Sequence, residues 1–109
     1  MKDLIICSGY NVYPRVIEDA LYSHPAVAEA VVIGVPDSYR GQSPKAFVKI
    51  KDGEILTADT LKTYLGERIS KIEMPNEIEF RSELPRTLIG KFSKKALLEE
   101  EMAKAGRRI

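Results

Sequence analysis

"AVAEAVVIGVPDSYRGQSPKAFVKIK", residues 26–51, decides the fold. Residues 26–36 are rich in small and β-branched side chains and predict a mostly buried strand. "PDSYRGQ" is a run of turn formers and predicts a loop. From 43 to 51 apolar and basic residues alternate. Ala46, Val48 and Ile50 fall on one side, and Lys45, Phe47, Lys49 and Lys51 on the other. That period of two predicts a second strand whose basic side faces solvent.

On the N-terminal side, "DLIICSGYNVYP" predicts a short strand, a turn at 8–11 and a second extended piece at Val12 and Tyr13. Pro14 suits a first helical position, because it has no N–H to leave unpaired. Ile17, Ala20, Leu21 and His24 then fall at helical spacing, with Glu18 and Asp19 near the positive helix start, and Pro25 ends the helix. On the C-terminal side "DGEI" is a turn and Thr57 suits an N-cap. Leu61, Tyr64, Leu65, Arg68 and Ile69 share one helical face. "EIEF" (77–80) predicts a short strand, and "SELPRTLIGK" loop and turn. Ser93 can cap a last helix with Leu97, Leu98 and Met102 on its buried side, fraying over 103–109. The whole is an α+β fold: a small mixed sheet of about three main strands plus an N-terminal hairpin, covered by about three helices.

The chain has 109 residues, enough for one domain with a modest core. Its 44% hydrophobic and 30% charged content fits a globular rather than a disordered chain. A net charge of +1 argues against nucleic-acid binding through bulk basicity. Cys7, the single cysteine, excludes an intrachain disulfide and a cysteine-rich metal site, and fits a reducing, cytoplasmic setting. No stretch approaches the roughly 18 apolar residues of a membrane span, and the N-terminus lacks the pattern of a signal peptide.

Lys91 stands out. It follows Gly90 in a turn between two elements, with no His, Cys or metal ligand beside it. Such a turn either exposes an ordinary lysine to water or presents a cation to something negative.

The segment "KDLIICSGYNVYPRVIEDALYSHPAVAEAVVIGVPD" resembles the start of the C-terminal domain of AMP-forming acyl-CoA synthetases. That superfamily also holds peptide-synthetase adenylation domains and firefly luciferase. "LPRTLIGKFSKKAL" resembles its closing P-K/R-T-x-x-G-K motif, in which Thr87, Gly90 and Lys91 occupy the signature positions. The match runs from Lys2 to about Leu98, with the motifs in order.

The resemblance implies a small mobile lid on a large N-terminal ATP- and acid-binding domain that these 109 residues do not contain. Together the two make an acyl-adenylate from a carboxylic acid and ATP/Mg²⁺. The small domain then rotates about a hinge and presents another face for thioester formation with CoA. It implies that Lys91 contacts carboxylate and phosphate oxygens during adenylation, that Lys2 is the hinge, and that Gly9 lines the pantetheine channel. Arg40 lies near where some relatives hold the CoA nucleotide, and could equally be a solvated loop arginine. Relatives usually carry two adjacent glycines where this chain has Ser8-Gly9. His24, the only histidine, suits packing or a helix end rather than a general base, and Glu18 suits a structural role.

The expected activity is that of an acid–CoA ligase, most like those for fatty acids, with dicarboxylate ligases the other acid class the phrases "SGYNVYP" and "IGVPDSYRGQ" resemble, and with the segment inactive alone and holding no cofactor tightly. Two other readings stand beside it. One is the same subdomain of an amino-acid adenylation domain that loads a carrier protein, although no carrier segment with a phosphopantetheine serine follows in this chain. The other is a free-standing binding module, which would take up CoA or AMP without a partner domain.

Overall fold

The computed structural model describes the backbone of residues 4–107 and the side chains of 4–104. Eight elements follow one another: β1 (Ile5–Cys7), β2 (Tyr10–Val12), α1 (Pro14–Tyr22), β3 (Val27–Asp37), β4 (Gly41–Ile50), α2 (Ala58–Gly66), β5 (Glu77–Phe80) and α3 (Lys94–Arg107). The α+β expectation holds, down to the N-terminal hairpin and the three helices.

The long antiparallel β3–β4 hairpin is the spine of the sheet, in register from Glu29 opposite Lys49 to Asp37 opposite Gly41. The other edge of β4 is shared. β1 joins it antiparallel at Cys7–Gly41, and β5 runs parallel to it over Lys45–Val48. The sheet is therefore mixed. The connecting loop shrinks to residues 38–40, because both strands run further into "PDSYRGQ" than composition alone suggests.

Strand alternation sends successive β4 side chains to opposite faces. Ala46 and Val48 join Ile17 and Leu21 of α1 and Leu61 and Leu65 of α2 in the larger core. Phe47 turns to the other face and packs with Val31, Ile33, Leu84 and Leu97 of α3. The parity of β4 agrees with the sequence pattern, but its basic side faces solvent only toward its end, at the half-buried Lys49 and the exposed Lys51. Lys45 and Phe47 are buried, because α3 lies over them.

Local signals place most helix ends. Thr57 Oγ1 accepts the Thr60 N–H at 3.1 Å, and Ser93 Oγ accepts the Ala96 N–H at 3.2 Å. Pro14 opens α1 as expected, but Tyr13 is its N-cap rather than strand, and no acidic residue lies in its first turn. Glu18 serves the sheet instead: its Oε2 accepts the Val32 N–H at 2.9 Å and pairs with Lys94 Nζ at 3.2 Å. That carboxylate covers an open backbone donor on the edge strand. α2 stops at Gly66, so Arg68 and Ile69 lie in the following turn, with the Arg68 guanidinium 3.6 Å from the centre of the Tyr64 ring. α3 continues to Arg107 instead of fraying from 103, and Leu98 and Met102 face outward while Leu97 is buried. No helix among the described residues is long and apolar enough to cross a membrane.

Candidate functional site

Two clusters carry the residues singled out by sequence, and they sit at opposite ends of the β3–β4 hairpin.

The first is a second, much smaller hairpin that closes on Gly90. Arg86 and Phe92 form an antiparallel bridge, Thr87 N–H donates to the Lys91 carbonyl at 2.7 Å, and Gly90 N–H donates to the Thr87 carbonyl at 2.9 Å. This is a three-residue loop whose last member must be left-handed. Gly90 has φ 87°, which a side chain would oppose. Thr87 and Gly90 thus close the turn through their backbones. Leu88 and Ile89 stand in solvent at the tip. The Lys91 side chain is exposed and has no ion pair among the described residues.

Arg86, quoted within the motif but given no role there, ties this tip to the sheet. Its Nη1 donates to the Gly90 carbonyl at 2.7 Å, its Nη2 pairs with Glu29 Oε2, and its guanidinium lies 4.3 Å from the centre of the Phe92 ring.

The second cluster joins the β1–β2 turn to the β3–β4 loop. Ser8 and Gly9 have φ 52° and 82°, the doubly left-handed geometry of a tight two-residue hairpin turn. A Cβ on Gly9 would meet nothing within 4 Å, so the position opens directly outward. Ser8 N–H donates to the Arg40 carbonyl at 2.8 Å, which brings Gly9 and Arg40 side by side. The loop is held by Asp37, whose Oδ1 accepts the Tyr39 and Arg40 N–H groups at 2.8 and 3.0 Å. Those backbone donors, Arg40 first and Tyr39 next, hold the Asp37 carboxyl below its usual range. Tyr39, at the loop tip, is 94% exposed.

Glu29, which anchors the Lys91 hairpin, and Asp37, which anchors the Arg40 loop, lie on one strand, and at 3.4 Å per residue their separation is about 27 Å. One ladder therefore separates an exposed cation at one end from a Ser8-Gly9 turn beside an arginine at the other.

His24 belongs to neither cluster. Its Nδ1 accepts the Ala26 N–H at 3.0 Å and its ring packs edge-on against Tyr64, with centroids 4.6 Å apart. Lys2 lies outside the described residues. Among the described residues no group of three or more His, Cys, Asp or Glu could hold a metal ion.

Known proteins resemble this chain in sequence and fold. Residues 16–91 match the family described as the AMP-binding enzyme C-terminal domain. A long-chain-fatty-acid–CoA ligase of Bacillus subtilis is 50% identical over 100 residues, which is 92% of this chain and 18% of the relative. One from Haemophilus influenzae is 46% identical over 103 residues, again 18% of its length. The Brucella canis acyl-CoA synthetase superimposes on 94% of the chain with a TM-score of 0.88 at 39% identity, using 20% of that structure. A Mycobacterium tuberculosis fatty acyl CoA synthetase gives 0.86 at 34% identity over 94% of this chain and 20% of that one. The chain thus spans about a fifth of the relatives it matches. It belongs to the AMP-binding enzyme C-terminal domain family.

Proposed function

We propose that the segment is the mobile C-terminal domain of an ATP-dependent, AMP-forming fatty acid–CoA ligase. A large N-terminal domain would bind the acid, ATP and Mg²⁺, in a cytoplasmic enzyme. The observation that carries this reading is the exposed Lys91, without an ion pair among the described residues, on a glycine-closed hairpin in a chain half identical to a fatty-acid ligase over 100 residues.

Adenylation brings a carboxylate onto the α-phosphate of ATP. Two anions must approach, and charge builds on the phosphoryl oxygens. An ammonium supplies a compact charge with three donors. At about 4 Å and an effective dielectric near 20, one such contact is worth roughly 4 kcal/mol. The exposed Leu88 and Ile89 beside it fit burial against the large domain when the tip enters that site.

The thioester step needs the opposite: room for a thin thiol arm and a partner for nucleotide phosphates. Gly9 and Arg40 match that need, and Asp37, which anchors the Arg40 loop, lies about 27 Å along the strand from Glu29, the anchor of the Lys91 hairpin. Both clusters cannot face one cleft at once, so a rotation about Lys2 would exchange them. Mg²⁺ has no donor cluster among the described residues and falls to the large domain in this reading.

The two half-reactions of the complete polypeptide test it. Lys91→Ala should slow adenylate formation, read as ATP–pyrophosphate exchange, by about 10² or more. CoA transfer from supplied acyl-adenylate should stay within about twofold, since the lysine stands outside that step. Equal loss in both halves would overturn the two-ended mechanism.

A further inference from the structure

We propose that Arg86, backed by Glu29, is the positioning residue of Lys91. The inference rests on the reading of Lys91 given above.

The Lys91 hairpin has little of its own to hold it. Its arms are tied by one bridge and by Ser93 N–H donating to the Pro85 carbonyl at 2.8 Å, and two of its three loop residues are apolar side chains in water. Hairpins this small are marginal in isolation. Arg86 supplies the missing constraint from inside the turn. One guanidinium touches the residues on both sides of the lysine, donating to the Gly90 carbonyl at 2.7 Å and covering the Phe92 ring at 4.3 Å. Its other nitrogen reaches across the fold to Glu29, 57 residues earlier, on the spine of the sheet. A planar fork can satisfy a carbonyl and a carboxylate at once and stack on a ring; an ammonium cannot do all three. Glu29 is itself only 23% exposed at its side chain, so the anchor is a half-buried, well-placed acceptor rather than a loose surface group.

The consequence is directional. Gly90 gives the turn its shape, but nothing in a glycine turn fixes where the next side chain aims relative to the sheet. Phe92, packed against the Phe47 core, seats the root of the hairpin, and the Arg86–Glu29 link fixes its tilt. A misplacement of about 1 Å in a group that must meet two oxyanions costs on the order of 10² in rate. Arg86 acts through Lys91, without touching substrate.

The test uses the complete polypeptide and a double-mutant cycle. Arg86→Gln should lower the kcat of adenylate formation by about 10- to 100-fold. KM for ATP and CoA transfer from supplied acyl-adenylate should each stay within about twofold. Arg86→Lys, which keeps the charge but not the fork, should restore only part of the loss. Glu29→Gln leaves the hairpin sequence intact and should reproduce a smaller adenylation defect, which guards against a hairpin that simply fails to form. In a Lys91→Ala background, Arg86→Gln should cost nothing more. If it costs as much there as in the wild type, Arg86 acts on its own and the inference fails. The inference also fails if Arg86→Gln slows both half-reactions alike, or slows neither while Lys91→Ala remains damaging. If Lys91→Ala itself leaves adenylation intact, the reading of Lys91 falls first and this inference falls with it.

Discussion

Lys45 Nζ stands 2.8 Å from Glu101 Oε1, joining the middle of β4 to a helix 56 residues further along the chain. The ammonium also lies 3.0 Å from Glu79 and 3.4 Å from Glu77 of β5, with its side chain only 3% exposed. Lys104 Nζ reaches Glu79 at 3.3 Å and Glu101 at 3.2 Å, and Arg81 Nε pairs with Glu79 at 2.7 Å. Leu97 is the one fully buried apolar side chain that α3 contributes among the described residues, so much of its seat on the sheet is ionic. The seat also bears on the Lys91 hairpin, which leads directly into α3.

Acid should therefore loosen α3. Burial raises the Glu79 carboxyl, but Arg81, Lys45 and Lys104 outweigh it and bring it down from 4.5 to about 2. Burial likewise raises Glu101, and Lys45 and Lys104 outweigh that too, leaving it lowered. Carboxyls more acidic in the folded chain stabilise fully above their unfolded value, and that contribution fades as pH falls through the folded one. For Glu79 the window runs from about 4.5 down to about 2, and up to roughly 3 kcal/mol is at stake. Urea denaturation from pH 6 to pH 2 should show stability falling below about pH 4.5. A flat profile would contradict the network. Lys45 is raised from 10.5, its carboxylate partners overcoming desolvation, so its contribution fades only on the strongly alkaline side.

Lys45→Met should destabilise the segment by about 1.5–3 kcal/mol, because Glu79 and Glu101 lose the buried one of the two cations they share while Lys104 stays in place. Adding Glu101→Leu should recover part of that loss, since an apolar replacement of a buried pair is often close to neutral. Urea midpoints of the two variants check the order.

Gly34→Ala should cost about 1–3 kcal/mol through overpacking. A Cβ there would come within 2.9 Å of Ile5 Cγ1 and 3.2 Å of Ile5 Cγ2, and Ile5 is buried. The same substitution paired with Ile5→Val should be less harmful, which denaturation of both variants would show.

Gly9→Leu is the counterpart of the Lys91 substitution. The position is spacious but left-handed, so the variant should lose about 1–2 kcal/mol of stability from backbone strain. CoA transfer in the complete polypeptide should fall by about tenfold or more, equivalent to about 1.4 kcal/mol of barrier. Pyrophosphate exchange should hold. Unchanged CoA transfer would remove Gly9 from the channel.

The segment by itself, given ATP, a fatty acid and CoA, should form no acyl-CoA. Its sequence has no glycine-rich phosphate loop, and Lys91 alone can stabilise charge but cannot bind the nucleotide. A CoA thioester peak in that assay would overturn the division of labour between two domains.

The sequence by itself determined the elements and their order, the caps at Thr57 and Ser93, the left-handed turn at Gly90 and the parity of β4. These are local matters: a hydroxyl reaching the next turn, a glycine where φ is positive, alternation along a strand. Only the tertiary structure decided which faces are covered. Lys45 reads as a solvent-facing lysine until α3 closes over it and Glu101 arrives from the far end of the chain. Leu97 points in and Leu98 out because of where α3 rests, not because the residues differ. The link between Arg86 and Glu29, and the spacing between the two clusters, depend likewise on the ladder that separates them. Burial and long-range pairing belong to the assembled layers, and alternation along one strand carries no information about what packs on its far side.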